Sequence, residues 1–128
     1  MRRFLFSLCA LLLASCSADD SVWLAAPQSW QDLTMRVETR PEQVRPGMNE
    51  FLIIAARQQR GFINNLLVEV RTDSSGSMWK QAMPDGALGV FRRALPVKDV
   101  QHGHLYVRLT RNGEHGELIF PLSAEAAR

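Results

Sequence analysis

From Leu33 onward the chain alternates apolar and polar residues in short runs, broken by turn-forming residues at intervals of about ten, a period of two rather than 3.6. Leu33, Met35 and Val37 alternate with polar neighbours. The link Pro41-Glu42-Gln43-Val44-Arg45-Pro46-Gly47 leads into residues 49–56 (NEFLIIAA), apolar enough for a central strand. Residues 66–71 (LLVEVR) continue the series, and Ser74-Ser75-Gly76 turns the chain before a strand expected over Met78 to Met83. Pro84-Asp85-Gly86 makes another turn, and Val90 to Val97, Leu105 to Thr110 and Glu117 to Leu122 complete the series. About seven strands in roughly 100 residues predict an all-β domain, an immunoglobulin-like antiparallel β-sandwich whose two sheets bury alternate residues against each other.

The last hairpin is specified most tightly. Asn112-Gly113 supplies the two positive-φ positions of a tight two-residue turn and sets Arg111 opposite Glu114. That register places Leu105 opposite Phe120, Val107 opposite Leu118 and Leu109 opposite Gly116 on one face, the core face. On the other face Arg108 meets Glu117 and Thr110 meets His115, so opposite charges and polar groups sit across from each other. A slip of one residue would scramble both faces.

The pattern changes before Leu33. Met1 to Arg3 form a basic start, and Phe4 to Leu13 (FLFSLCALLL) form a mostly apolar run too short to span a bilayer as an ordinary helix. The run ends in Leu13-Ala14-Ser15-Cys16, an aliphatic residue three before a cysteine followed by two small residues, which resembles a lipobox. Residues 1–15 are therefore expected to be a lipoprotein signal peptide, with cleavage before Cys16. By resemblance to lipoproteins, Cys16 carries a diacylglyceryl thioether and an acylated amine, a palmitate-type membrane anchor; several acyl chains give stable attachment where one is marginal. Residues 16–30 (CSADDSVWLAAPQSW) lack a sustained period and are expected to be a tether, with the β domain over 31–123. Trp23 and Trp30 stand out in it, as residues that pack back on the domain, touch the membrane interface or mark a partner site. Ser17 rather than Asp follows the anchor, which in lipoproteins of enterobacterial type favours the outer membrane, facing the periplasm.

Cleavage changes the charge and cysteine balance. Losing Arg2 and Arg3 takes the chain from 15 basic against 13 acidic residues to parity, so a nucleic-acid partner loses its electrostatic support. Cys9 leaves with the signal and Cys16 is modified, so no thiol remains for a disulfide and stability must come from the core.

Pro46-Gly47-Met48-Asn49 entering an apolar strand, Gly89-Val90-Phe91-Arg92 with Leu95-Pro96-Val97, and Gly103-His104-Leu105-Tyr106-Val107 together resemble the YtkA-like and FixH-like family of small extracytoplasmic β-sandwich domains. The resemblance runs from about Thr34 to Leu122 and carries no catalytic signature. It implies copper handling or a role in assembling copper-containing respiratory oxidases, which draws attention to His and Met, since copper(I) prefers imidazole and thioether ligands. The candidate metal ligands are His102 and His104 with Met78 or Met83; His115, Met35 and Met48 are further His and Met side chains. The hairpin register sets His115 about 20 Å along the strand from His104, too far to share an ion. His102 and His104 face the same way if their strand begins early. Against this, the chain has no dense series of methionines and no cysteine pair.

Other chemistry is thin. Ser74, Ser75 and Ser77 near Asp73 read as turn builders bonding to the backbone, with no His in a motif beside them, so no enzyme is expected. Arg92 and Arg93 point to opposite faces of their strand, so Arg93 must lie at an edge or snorkel over apolar residues while Arg92 pairs with an acid. Two functions from different classes follow. One is a non-catalytic interaction or accessory module tethered by lipid, needing no cofactor, meeting an envelope protein through a patch to which Trp79 and Tyr106 contribute. The other is a copper-handling domain built on His102, His104 and Met78 or Met83.

Overall fold

The computed structural model describes residues 25–59, 63–75 and 78–123. Cys16 and Trp23 lie outside them. Among the described residues nine strands run in chain order: β1 (Gln28–Trp30), β2 (Leu33–Arg40), β3 (Gly47–Arg57), β4 (Leu66–Thr72), β5 (Lys80–Gln81), β6 (Met83–Pro84), β7 (Val90–Val97), β8 (His104–Arg111) and β9 (Glu114–Pro121). They form two antiparallel sheets, one of five strands in the order β1-β2-β3-β7-β6 and one of four in the order β5-β4-β8-β9. A 3-10 turn at Asp73–Ser75 follows β4. The order β2-β3-β7-β6 against β5-β4-β8-β9 is the connectivity of an immunoglobulin-like sandwich, as the strand pattern predicts.

Strand alternation builds the core. Leu33, Met35 and Val37 of β2, Phe51, Ile53 and Ala55 of β3, and Leu95 and Val97 of β7 point inward from the larger sheet. They meet Val68 and Val70 of β4, Leu105, Val107 and Leu109 of β8, and Phe120 of β9. The β8-β9 hairpin has the register read from the sequence at every position, and Asn112 and Gly113 take φ of 52° and 79° in its turn. Polar links bind sheet to sheet at both ends. Thr72 Oγ1 donates to the Pro96 carbonyl at 2.6 Å, and Asp32, in the β1–β2 turn, takes Arg57 Nε at 2.9 Å from one sheet and Arg111 Nη1 from the other.

Two expectations need correction. The segment from Met78 to Met83 is not one strand: Lys80–Gln81 pairs with β4 and Met83–Pro84 with β7, so the chain changes sheets at Ala82, which is buried at the crossing and donates its N–H to Val68 O. The tether also ends earlier than Trp30. Gln28–Trp30 pairs with β2, and Ala25 and Trp30 pack against the core.

β1 has a further task. β9 is the outer strand of its sheet, and unpaired edge groups invite other strands to add. Gln28 Nε2 donates to the Ile119 carbonyl at 2.6 Å, Gln31 Nε2 donates to the Glu114 carboxylate, and the Trp30 indole lies on Gly116 so closely that a Cβ there would overlap the ring. The start of the domain thus closes over the exposed edge of its last strand.

Candidate functional site

On the four-stranded sheet the residues that alternate with the core point outward: Leu67, Glu69 and Arg71 on β4, His104, Tyr106 and Arg108 on β8, and Glu117 and Ile119 on β9. Trp79 approaches from the edge, just before β5. The register sets Arg71 opposite Tyr106 and Glu69 opposite Arg108. The Arg71 guanidinium lies 4.1 Å from the Tyr106 ring centroid and 5.0 Å from that of Trp79, and Arg108 lies 4.4 Å from Trp79. Such contacts are worth about 0.5–1 kcal/mol each on an exposed face and hold the rings and cations in one geometry. Trp79 and Tyr106, the two binding residues expected from the sequence, are therefore joined through Arg71, with Arg108 on Trp79 alone.

Carboxylates fix both ends of this ladder. Glu69 accepts from Arg108 Nε at 2.8 Å, a bond that raises the guanidinium pKa further. Asp73 accepts from the Tyr106 hydroxyl at 2.8 Å and the His104 amide at 2.7 Å, with His104 Nδ1 at 3.4 Å. Burial pushes the Asp73 carboxyl up, but these donors outweigh it and hold it below the ordinary value; the same bond to Asp73 raises the Tyr106 hydroxyl. Ile119, 48% exposed, and Leu67 add apolar surface to the face.

Of the proposed metal ligands, His104 and Met83 do not converge. The strand begins at His104, so His102 sits in the preceding turn with Nδ1 3.0 Å from Asp99 Oδ2, while His104 is held by Asp73. Met83 projects from the outer face of the five-stranded sheet, on the opposite side of the sandwich from His104, so the two cannot share an ion. Met78 is exposed and Met35 is buried in the core. Among the described residues no three His, Cys, Asp or Glu side chains are grouped to hold a metal. Ser74 Oγ accepts the Lys98 N–H at 2.7 Å, a long-range bond to the residue that follows β7 and not one within its own turn, and Ser77 lies outside the described residues.

Acid should loosen both ends of the domain, Asp32 at one and Asp73 with Asp99 at the other. Asp32, bonded first by Arg111, and Asp99, bonded first by the His102 amide, are held below the ordinary carboxylate value, as is Asp73. Depressed folded-state values add stability that is complete above an unfolded aspartate pKa of about 3.9 and is lost as pH falls through the lower folded values. Thermal unfolding as a function of pH is expected to show Tm falling below about pH 4, with a shallower fall in Asp73→Asn. An equal slope in that variant would remove Asp73 from the account.

No family model matches the chain, and no curated protein or solved structure matches it either. The resemblance to the YtkA-like and FixH-like family rests on the residues quoted for it alone.

Proposed function

We propose that this chain is a lipid-anchored, extracytoplasmic interaction module that binds an envelope protein through the outer face of its four-stranded sheet. The observation that carries the reading is the ladder Trp79–Arg71–Tyr106 with Arg108, held by Glu69 and Asp73. Trp, Tyr and Arg are the residue types that dominate interface energetics, and a set already ordered by its neighbours binds without the entropic cost of being fixed. Alternating acids and bases on this face suit a protein surface better than a nucleic-acid backbone. The lipobox supplies the other half of the reading: Cys16 holds the module at the membrane, in the periplasm and on the outer membrane by the Ser17 criterion.

The test is a photoreactive residue at Ile119 in the full chain, in cells. One discrete adduct with an envelope protein is expected, weakened about tenfold by Trp79→Ala and not formed by the same probe at Arg36 on the other sheet. Absence of an adduct, or one indifferent to Trp79, would sink the reading. Cys16→Ser is expected to move the chain from the membrane to the soluble fraction, and retention at the membrane would remove the lipid anchor.

A further inference from the structure

The outer face of the five-stranded sheet carries a different pattern. β3 and β7 sit at its centre, and apart from Glu50 and Arg92 their outward positions are apolar: exposed Met48 and Ala94, half-buried Ile54, Val90 and Pro96, and Leu52, which is already buried within one copy. A solvent-facing antiparallel sheet ordinarily turns polar residues outward. Met48 and Met83, 59% and 56% exposed, extend the apolar surface along the β7–β6 side, where with Arg92 they line one shallow cleft. A second cleft on the β2 side is lined by Glu38, Arg40, Glu42 and Leu52.

Charge is arranged around this stripe with a particular symmetry. One cross-strand row reads Glu38, Leu52, Arg92, Met83, an acid and a base on the two strands flanking β3. The next row reads Arg36, Ile54, Val90. A two-fold axis parallel to β3, between two copies stacked face to face, exchanges the β2 side of one with the β7 side of the other. Each Glu38 then faces the second copy's Arg92, and Ile54 meets Ile54 on the axis. Within one copy Arg36 already lies 3.4 Å from Glu38, and Arg92 lies 3.3 Å from Glu50, so the pairing joins two half-networks into a run of alternating sign. Glu50, leaning toward Arg92, is drawn off the axis. Edge-to-edge pairing of two β2 strands about Glu38 has no such fit, because it sets Glu38 against Glu38 and Arg36 against Arg40.

We infer that this face is a homodimer interface, the occupant being a second copy of this chain related by a two-fold axis along β3. Sheets stack about 10 Å apart face to face, near enough for outward side chains of the two copies to interdigitate. The interface is separate from the partner-binding face: the dimer presents two copies of the Trp79–Tyr106 ladder outward, on opposite sides. It stands or falls independently of the reading above.

The experiment is disulfide trapping, driven by an added cell-permeant oxidant so that it does not depend on the compartment, in cells that express the full chain, with the parent chain as control for Cys9 and Cys16. Ile54→Cys, on the axis, is expected to give an oxidised dimer of twice the chain mass, and Ile119→Cys on the other sheet is not. Adding Glu38→Arg is expected to cut dimer yield about tenfold, and adding Arg92→Glu to that chain to restore it, because the reversed pair attracts again. No dimer from Ile54→Cys, an adduct with a different protein in its place, equal trapping at Ile119, or failure of the second reversal to restore yield would each overturn the inference.

Discussion

Phe120→Ala is expected to lower the unfolding free energy by about 3–5 kcal/mol, whereas Ile119→Ala, one residue away, should change it by under about 0.5 kcal/mol. Phe120 is fully buried and sits opposite Leu105 on the core face, while Ile119 faces outward and is half exposed. Phe120→Ala removes about twice the side-chain carbon of Ile119→Ala, a difference much smaller than the expected contrast, so the contrast reports strand parity. A domain of this size has about 5–15 kcal/mol in total, and the described residues contain no cysteine to bridge the sheets, so the loss is a large share of what holds the fold. Urea unfolding followed by tryptophan fluorescence reads it directly as a shift of midpoint at unchanged slope. A larger loss at Ile119 than at Phe120 would mean that the β8-β9 register is wrong by one.

That register was legible because two independent signals coincide. Asn112-Gly113 dictates the turn, and the alternation on both sides of it agrees with the pairing the turn imposes. The crossing at Ala82 was not legible. Met78 to Met83 alternates well enough for one strand, and nothing local says that its two halves bond to different sheets. Only Pro84, which cannot donate to a ladder and so belongs at an edge, marks β6 as a short outer strand. β1 was hidden by composition. Ala25, Ala26, Pro27 and Ser29 read as tether, and the pairing of Gln28–Trp30 depends on what Trp30 finds across the sandwich.

The candidate site was legible in its members more than in its assembly. Trp79 and Tyr106 stand out as large aromatics beside charged strands, but that Arg71 bridges them follows from the pairing of β4 with β8, which is 35 residues distant in sequence at that point and has no turn to fix it. Asp73 was read as a turn residue, and it is one; its second oxygen orients Tyr106 across the strand pair. The pairing of His104 with Met83 fails for the same topological reason. His104 and Met83 look near in a chain drawn as one hairpin series, yet the change of sheet before Met83 puts the sandwich between them.

Gly116→Ala is the substitution expected to act furthest from its size. The register places Gly116 opposite Leu109 on the core face, a position where a strand normally carries a large apolar residue. The space is filled by Trp30 from β1, and a Cβ at Gly116 would overlap the indole nitrogen and both neighbouring ring carbons. One methyl group must therefore dislodge a half-buried tryptophan, and with it the bonds that Gln28 and Gln31 make to β9. A loss of about 2–4 kcal/mol is expected, as for removing a large core side chain, accompanied by a red shift of tryptophan emission and new protease sensitivity before Leu33. Trp30→Ala should produce the same loss of edge protection, and because both changes break one contact their effects should be far from additive in the double variant. Uncovering β9 exposes a strand edge, so both variants are also expected to associate at concentrations where the parent chain does not. Additive effects, or a Gly116→Ala chain with unshifted emission, would show that β1 is held by its pairing with β2 alone.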